Sequence, residues 1–168
     1  MLKFLKSSSL AACLLASPLA FADLTIPLYH VTASNVGKLA GTVQVTETKY
    51  GLLLTPDLHD LQPGIHGFHI HQNPSCEQNG MAAGGHLDPE DSNKHRGPYS
   101  NLGHLGDLPA LYVNADGSAS LPVLAPRLNH LDEIRNHSLM LHEGGDNYSD
   151  TPTKLGGGGT RMVCGLIK

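Results

Sequence analysis

Two histidines spaced two residues apart give the strongest constraint on what this chain can fold into. The segment Gly67-Phe68-His69-Ile70-His71 alternates in a way that is typical of a β-strand. In an extended strand, His69 and His71 share one face, while Phe68 and Ile70 face the opposite way into apolar packing. Neutral imidazole is a common ligand for zinc and copper, so two imidazoles aimed at one point predict a metal site on a β-sheet.

A histidine-rich loop follows this strand. His86, His95 and His104 are separated by eight intervening residues each, and Asp107 lies three positions after His104, in a stretch rich in Gly, Pro, Asn and Asp. This composition disfavours helix and strand, and a long loop of that kind is usually functional or disordered. Three histidines and one aspartate make a closed four-coordinate set suited to zinc, with no position open for substrate. We therefore predict a structural zinc that orders the loop.

The other histidines divide into two kinds. His142, near the C-terminus, is counted with the cluster as a candidate metal ligand. Four others are interpreted as ordinary core or surface residues, namely His30, His59, His130 and His137.

Several segments carry a resemblance to a known family. They are GFHIHQNPSCE, GGHLDP, KHRGP, LGHLGDLPALYVNADG, LAPRL, HEGGDN and GGGGTRMVCGLI. They resemble the copper/zinc superoxide dismutases, most closely the bacterial periplasmic branch, and the similarity runs from about Leu39 to Lys168. The resemblance is specific because the ligands, the cysteines and an active-site arginine match in the same order.

The resemblance implies a bimetallic site with one copper and one zinc per chain. It implies that His86 is shared between the metals as a bridging imidazolate, which two divalent cations make possible by drawing charge from both nitrogens. The implied copper ligands are His69, His71, His86 and His142, and the implied zinc ligands are His86, His95, His104 and Asp107. His66 matches a structural histidine of the family.

The resemblance also implies the reaction and its supporting residues. Copper would cycle between Cu(II) and Cu(I), converting superoxide into dioxygen and hydrogen peroxide, with protons supplied partly by His86. Arg161 would sit beside the copper and hold the superoxide anion, because a guanidinium is always charged and offers a fork of donors. Asp146 would connect His69 on the copper side with His95 on the zinc side, and such outer partners fix tautomer and orientation.

The N-terminus predicts export. Residues 1–22 contain two lysines, an apolar run and the small-residue cleavage site Ala20-Phe21-Ala22, as in a secretory signal peptide. This segment is too short to stay as a membrane span. Cleavage would remove Cys13 and leave a single domain over residues 23–168 in the periplasm. Lipidation of Cys13 is the alternative, and it is disfavoured by the short apolar run before it and the apolar segment after it.

Two cysteines remain after cleavage. Cys76 and Cys164 match the family's disulfide, and an even pair suits an oxidising compartment. The bridge would tie the start of the metal loop to the strand that carries Arg161.

Charge and composition limit the fold and the partners. Two of the eleven Lys+Arg residues lie in the signal segment, so nine face fifteen Asp+Glu in the mature chain and the net charge is −6. This charge is wrong for a nucleic-acid partner. Nineteen glycines, eleven prolines and no tryptophan favour many short strands joined by turns over a helical bundle.

We predict an all-β fold, a Greek-key β-sandwich or flattened barrel of about eight antiparallel strands with two long functional loops. A turn is expected at Ala115-Asp116-Gly117 and a short helical turn over 131–136. The predicted strands are 39–47 and 49–54 as a hairpin, then 65–71, 110–114, 118–124, 138–142 and 161–167.

Three rival functions fit the sequence less well. A copper and zinc buffer would need the histidines but neither Arg161 nor a shared His86, and a β-sandwich interaction module leaves seven ordered ligands unexplained. Hydrolytic zinc chemistry lacks a general base beside an open metal position. The resemblance leaves open whether the protein is a monomer or a homodimer. For steering the anion, we expect Arg161 to act with support from Lys154, or from Lys94 and Arg96.

Overall fold

The computed structural model describes residues 23–33 and 36–168. The predicted signal segment, residues 1–22, lies outside the described residues. No helix in the described part of the chain is long and apolar enough to cross a membrane. Short 3₁₀ helices cover Met81–Ala83, Leu131–Glu133 and Lys154–Gly157. Within the described residues the strands are β1 (Asp23–Val31), β2 (Val36–Thr48), β3 (Gly51–Leu58), β4 (Gly64–His66), β5 (Phe68–His71), β6 (Leu111–Val113), β7 (Val123–Ala125), β8 (His137–His142) and β9 (Arg161–Ile167).

Seven of these strands form one curled antiparallel sheet in the order β5-β8-β9-β1-β2-β3-β7. The other two, β4 and β6, pair with each other as a small second sheet. The predicted all-β antiparallel fold is therefore confirmed, with nine strands where about eight were expected. Two long loops, residues 72–110 and 143–160, leave the end of the sheet formed by β5, β8 and β9.

The hairpin of β2 and β3 follows from alternation. Val43 and Val45 are fully buried while Gln44 between them is exposed, and Leu52 and Leu54 alternate in the same way on β3. This period of two places one apolar face of each strand in the core. The predicted hairpin is confirmed, with strands longer than the pattern indicated.

Strand β1 is absent from the sequence-based assignment. It pairs with β2 along its length and with β9 through Tyr29 and His30, so it joins the two halves of the large sheet. Ile26 and Leu28 point into the core, and Pro27 between them is exposed. A proline that cannot donate to the ladder weakens the strand signal in this segment, although the apolar alternation is present.

The predicted strand 65–71 is wrong as a single element, because it is divided at Gly67 into β4 and β5. The Gly67 amide donates to Gly144 O at 2.8 Å and its carbonyl accepts from His142 N at 2.9 Å, so the chain leaves the small sheet here and enters the large one. A Cβ at this position would lie 3.0 Å from His69 Cε1. The close approach of an imidazole explains why glycine occupies the division.

The later elements match the sequence prediction in part. The turn at Ala115-Asp116-Gly117 forms, with Gly117 at φ 81°, and β9 has the predicted bounds. The predicted strand 118–124 is reduced to β7, preceded by an isolated bridge between Ala119 and Leu58. Pro122 interrupts it because proline has no N–H for the ladder.

The predicted disulfide between Cys76 and Cys164 is present. Its Cα atoms are 5.7 Å apart and 88 residues separate the two cysteines in sequence. Cys164 lies in β9, three residues after Arg161, and Cys76 opens the segment that passes over Arg161. The bridge therefore holds the first long loop against the strand that carries the arginine.

Replacing Cys164 with serine should lower the stability of the protein. Opening a loop of this size is expected to cost about 4 kcal/mol in the chain-entropy account and to lower Tm by on the order of 10 °C. Calorimetry of wild type and variant measures the change. The double variant Cys76→Ser with Cys164→Ser should lose no more stability than the single variant. Equal Tm values for the reduced, mutant and oxidised proteins would contradict the prediction.

Candidate metal centre

Strand β5 brings two imidazoles to one point. His69 and His71 are 0% and 1% exposed, and they lie on the face opposite Phe68 and Ile70, which are fully buried in the core. Both faces of this short strand are therefore covered, one by apolar side chains and the other by the metal centre. His142 joins them from the end of β8, which pairs with β5.

The first long loop supplies further imidazoles because it returns twice to β5. On one pass, Leu87 N donates to Ile70 O at 2.8 Å, which places His86 beside His71. On the next pass, Ile70 N donates to Gly106 O at 2.9 Å, which places Asp107 beside His69. Backbone pairing thus aligns His86 and Asp107 with strand residues although both lie outside the helices and strands of the described chain.

The first cluster consists of imidazoles whose ring nitrogens face one another. The Nδ1 of His71 donates to Gly84 O at 3.0 Å and the Nδ1 of His142 faces Gly159 O at 3.2 Å, so each Nε2 carries a lone pair. These two Nε2 atoms are 3.3 Å apart. In these tautomers neither Nε2 has a proton for the other, so the contact fits a cation held between them. The ligand atoms of the cluster all lie within 4.8 Å of one another, and its members are His69, His71, His86 and His142.

The second cluster surrounds one carboxylate oxygen. Asp107 Oδ1 lies 2.9 Å from His86 Nδ1, 3.1 Å from His95 Nδ1 and 3.3 Å from His104 Nδ1. Tetrahedral ligands bound to zinc at ordinary bond lengths are separated by ~3.3 Å, so these spacings suit that metal. The other oxygen of Asp107 accepts from the amides of Arg96 and Gly97, both at 3.1 Å, which fixes the carboxylate.

His86 belongs to both clusters. Its Nδ1 faces Asp107 Oδ1, and its Nε2 is buried without a hydrogen-bond partner and faces the first cluster. His69 Nδ1 and His95 Nδ1 are also buried without a hydrogen-bond partner, although His95 Nδ1 is only 3.1 Å from Asp107. Buried polar nitrogens are rarely left unsatisfied. The residues present therefore fit two cations that share the imidazole of His86.

Asp146 joins the two clusters from the second long loop. Its Oδ2 accepts from His69 Nε2 at 2.8 Å and its Oδ1 accepts from His95 Nε2 at 2.7 Å. Each imidazole is therefore held with its Nδ1 free to face a metal. The run of four glycines in the same loop accommodates this carboxylate, because Gly156 has φ +71° and a Cβ there would lie 2.0 Å from Asp146 Oδ1.

Electrostatics prepare the first cluster for a metal. Burial lowers the pKa of His69 to about 3 and that of His142 to about 4, and it also holds the pKa of His71 well below its usual range. Burial lowers the pKa of His86 as well. These imidazoles are consequently neutral at neutral pH, as metal ligands must be.

The second cluster attracts positive charge. Burial alone would lower the pKa of His95, but its close contacts with the carboxylates of Asp107 and Asp146 outweigh burial and raise the pKa to about 9. Burial would raise the pKa of Asp107, yet contacts with His104 and His86 hold it far below its usual range, and His69 and His95 do the same for Asp146. Two buried carboxylates around one imidazole suit a divalent cation, which can take the place of the proton.

A cavity of about 290 Å³ opens onto the first cluster. His71, His86 and His142 line it together with Arg161 and Lys154. The guanidinium of Arg161 is fixed by the backbone, since it donates to Gly80 O and to Gly84 O. Gly84 O also accepts from His71, so one carbonyl positions both the arginine and a candidate ligand.

The sequence-predicted steering residues are only partly brought together. Lys154 lines the cavity beside Arg161, whereas Lys94 and Arg96 are exposed on either side of His95 and are not among the residues that line it. His66 lies outside both clusters, with its ring nitrogens 2.8 Å from His142 O and from Gln62 O. Its contacts support the backbone under His142.

Two further residues that hold this site, Asp150 and Arg127, are not predicted from the sequence. Asp150 accepts a hydrogen bond from the amide of His95, and Arg127 donates to the carbonyls of Gly103 and His104. Both side chains hold the backbone of the second cluster from outside. Sequence spacing carries no signal for contacts of this kind, because any residue can supply the backbone partner.

Comparison with known proteins gives a consistent result. A family model described as copper/zinc superoxide dismutase matches residues 39–167. The superoxide dismutase [Cu-Zn] of Actinobacillus pleuropneumoniae is 60% identical over 153 residues, which cover 86% of this chain and 80% of that protein. The Cu/Zn superoxide dismutase of Brucella abortus has a TM-score of 0.84 at 48% identity, covering 88% of this chain and 100% of its own. The monomeric copper, zinc superoxide dismutase of Salmonella enterica, solved in solution, has a TM-score of 0.78 at 53% identity with the same coverage.

Proposed function

The chain belongs to the copper/zinc superoxide dismutase family, and from this premise we propose how its residues divide the work of dismutation. As a member it is an oxidoreductase that converts superoxide into dioxygen and hydrogen peroxide with copper and zinc as cofactors. The proposed copper ligands are His69, His71, His86 and His142, and the proposed zinc ligands are His86, His95, His104 and Asp107.

The single observation that carries this assignment is the position of His86. Its Nδ1 faces the cluster that contains Asp107, while its buried Nε2 faces the cluster of imidazoles and has no other partner. A ring with one nitrogen in each cluster is the arrangement that a shared imidazolate requires. The cluster with the carboxylate is closed, which supports a structural zinc, and the cluster without a carboxylate opens to the cavity.

His69, His71, His86 and His142 would hold the copper, which would supply the one-electron redox chemistry that dismutation needs. Arg161 binds the anion, because its guanidinium lines the cavity and is held there by two carbonyls. His86 Nε2 holds and releases a proton during the cycle. Asp146 keeps His69 and His95 in the tautomer that leaves each Nδ1 facing a metal.

Metal analysis of the purified protein with a dismutase assay tests this function. We expect one copper and one zinc per chain and rapid loss of superoxide only when copper is bound. A copper and zinc buffer would bind both metals without turnover. That outcome would refute the proposed role of Arg161 and His86 in this chain.

Turnover is expected to fall as ionic strength rises. The mature chain would carry a net charge of −6, so capture of an anion depends on a local positive region made by Arg161 and Lys154 at the cavity. Screening shortens the reach of this region to about 8 Å near 0.15 M salt. Initial rates across a salt series measure the effect, with Lys154→Ala expected to flatten the slope and the exposed Lys49→Ala to leave it unchanged.

We also propose that residues 1–22 are a cleaved signal peptide and that the protein acts in the periplasm. The apolar run, the small residues before Asp23 and the disulfide between Cys76 and Cys164 support export to an oxidising compartment. N-terminal sequencing of the protein from a periplasmic extract should begin at Asp23. A lipid-modified Cys13 at the N-terminus would contradict this proposal.

The homodimer is one of the two oligomeric states that the sequence leaves open. The Salmonella enterica relative is described as monomeric. Sedimentation of the mature chain distinguishes a monomer from a homodimer.

A further inference from the structure

We propose that Asp150 is a positioning residue that connects the zinc ligand His95 to the wall of the copper cavity, so that zinc binding also shapes the channel for superoxide. The inference rests on the zinc assignment of the proposed function and adds a residue that this assignment does not contain. Through Asp150, zinc at the second cluster would order the wall of the cavity that opens onto the first cluster.

The carboxylate of Asp150 uses one oxygen for each of two loops. Its Oδ2 accepts from the backbone amide of His95 at 2.9 Å, and its Oδ1 accepts from the backbone amide of Leu155 at 3.2 Å. His95 belongs to the first long loop, and Leu155 belongs to the second. A carboxylate is acceptor-only with two oxygens, so it can join two N–H groups in this way and an amide side chain cannot.

The segment that Asp150 holds forms part of the cavity. Lys154 and Leu155 line it opposite the imidazoles of His71, His86 and His142. Leu155 has φ 55°, a left-handed conformation that a leucine rarely adopts. Such a backbone persists only when surrounding contacts hold it, and the bond from its amide to Asp150 is one of those contacts.

The connection runs through the backbone of His95 and is separate from the contact made by Asp146. Asp146 holds the imidazole of His95, while Asp150 holds its amide. Zinc on His95 Nδ1 would fix the imidazole of His95. Because Asp150 holds the backbone amide of the same residue, both its side chain and its backbone would then be fixed. Leu155 shares the same carboxylate, so ordering of His95 reduces the freedom of the cavity wall.

Hydrogen exchange of copper-free protein tests the connection. In wild type, adding zinc should slow hydrogen exchange of the Leu155 amide roughly tenfold. This is the factor expected when one hydrogen bond to a charged acceptor is stabilised. In Asp150→Ala this zinc-dependent change should disappear while the fold remains. Asp150→Asn keeps one acceptor and should retain only part of the change.

Asn147→Ala is the matched control. Asn147 donates to Thr151 O and accepts from Ser149 N, so its loss alters the same loop without removing a contact to His95. The zinc-dependent protection of Leu155 should remain in this variant. Protection that persists in Asp150→Ala, or that disappears equally in Asn147→Ala, would overturn the role of Asp150.

The same experiment distinguishes an incorrect set of zinc ligands from an incorrect role of Asp150. If zinc fails to protect the amides around His95 and His104 in wild type, the assignment of the zinc ligands is wrong. If zinc protects these amides in both wild type and Asp150→Ala but Leu155 responds only in wild type, the assignment and the connection both stand.

Discussion

Replacing His86 with alanine is expected to abolish the coupling between the two metals and to lower dismutase activity by roughly 100-fold, the scale of a lost proton-transfer group. His86 is the one residue common to the two ligand groups of the described structure, and both its ring nitrogens face a cluster. Copper should remain partly bound, because three imidazoles of its group are left. Zinc should be released faster, because it loses one of four ligands.

Magnetic resonance and optical spectra of the copper protein measure the coupling. With the wild type, removing zinc should change the copper spectrum, and in His86→Ala it should not. His59→Ala is a suitable control, since the His59 side chain is exposed, pairs with Asp57 and belongs to neither cluster. If the native protein shows copper and zinc signals that are independent of each other, the shared imidazole is wrong.

The strands that position the metal centre were predictable from sequence because alternation has a direct physical cause. His69 and His71 share a face, and Phe68 and Ile70 fill the core behind them, as period two requires. Strand β9 also has its predicted bounds, although its burial does not alternate strictly. The candidate ligands could be named from the sequence because so many histidines in a short segment, together with an aspartate, are typical of a metal site.

The remaining features depend on backbone contacts that residue identity does not encode. The division of the predicted strand at Gly67 results from hydrogen bonds to Gly144 and His142, which are distant in sequence. The two returns of the first loop to β5 have the same origin. The two backbone amides that Asp150 holds, those of His95 and Leu155, are likewise not predicted by residue type or spacing.

Sequence also does not determine which charged side chains attract the superoxide anion. Lys94 and Arg96 flank the proposed ligand His95 in sequence, yet neither is among the residues that line the cavity, whereas Lys154 is. The sequence does not show which of these side chains lines the cavity, because neither long loop has the regular alternation of a strand. Only the fold decides which of several lysines and arginines faces the substrate.

Arg161→Glu should reduce dismutase activity on the order of 100-fold, far more than Lys154→Ala. The substitution replaces a positive charge beside the copper ligands with a negative one, and two units of charge at such range change the barrier for an anion by about 3 kcal/mol. Lys154 is exposed on the cavity wall, so solvent screens it and its loss should cost only a few-fold.

Copper content must be measured in the same variant, because Arg161 shares the carbonyl of Gly84 with the ligand His71. Arg161→Lys is the graded control, since it keeps the charge and loses the planar fork that reaches two carbonyls. If activity follows charge, the lysine variant should recover most of it while the glutamate variant stays low at equal copper content. The salt dependence should also reverse in the glutamate variant, because screening then weakens a repulsion. A wild-type rate that rises with salt would mean that the global negative charge dominates capture, and the local role of Arg161 would be lost.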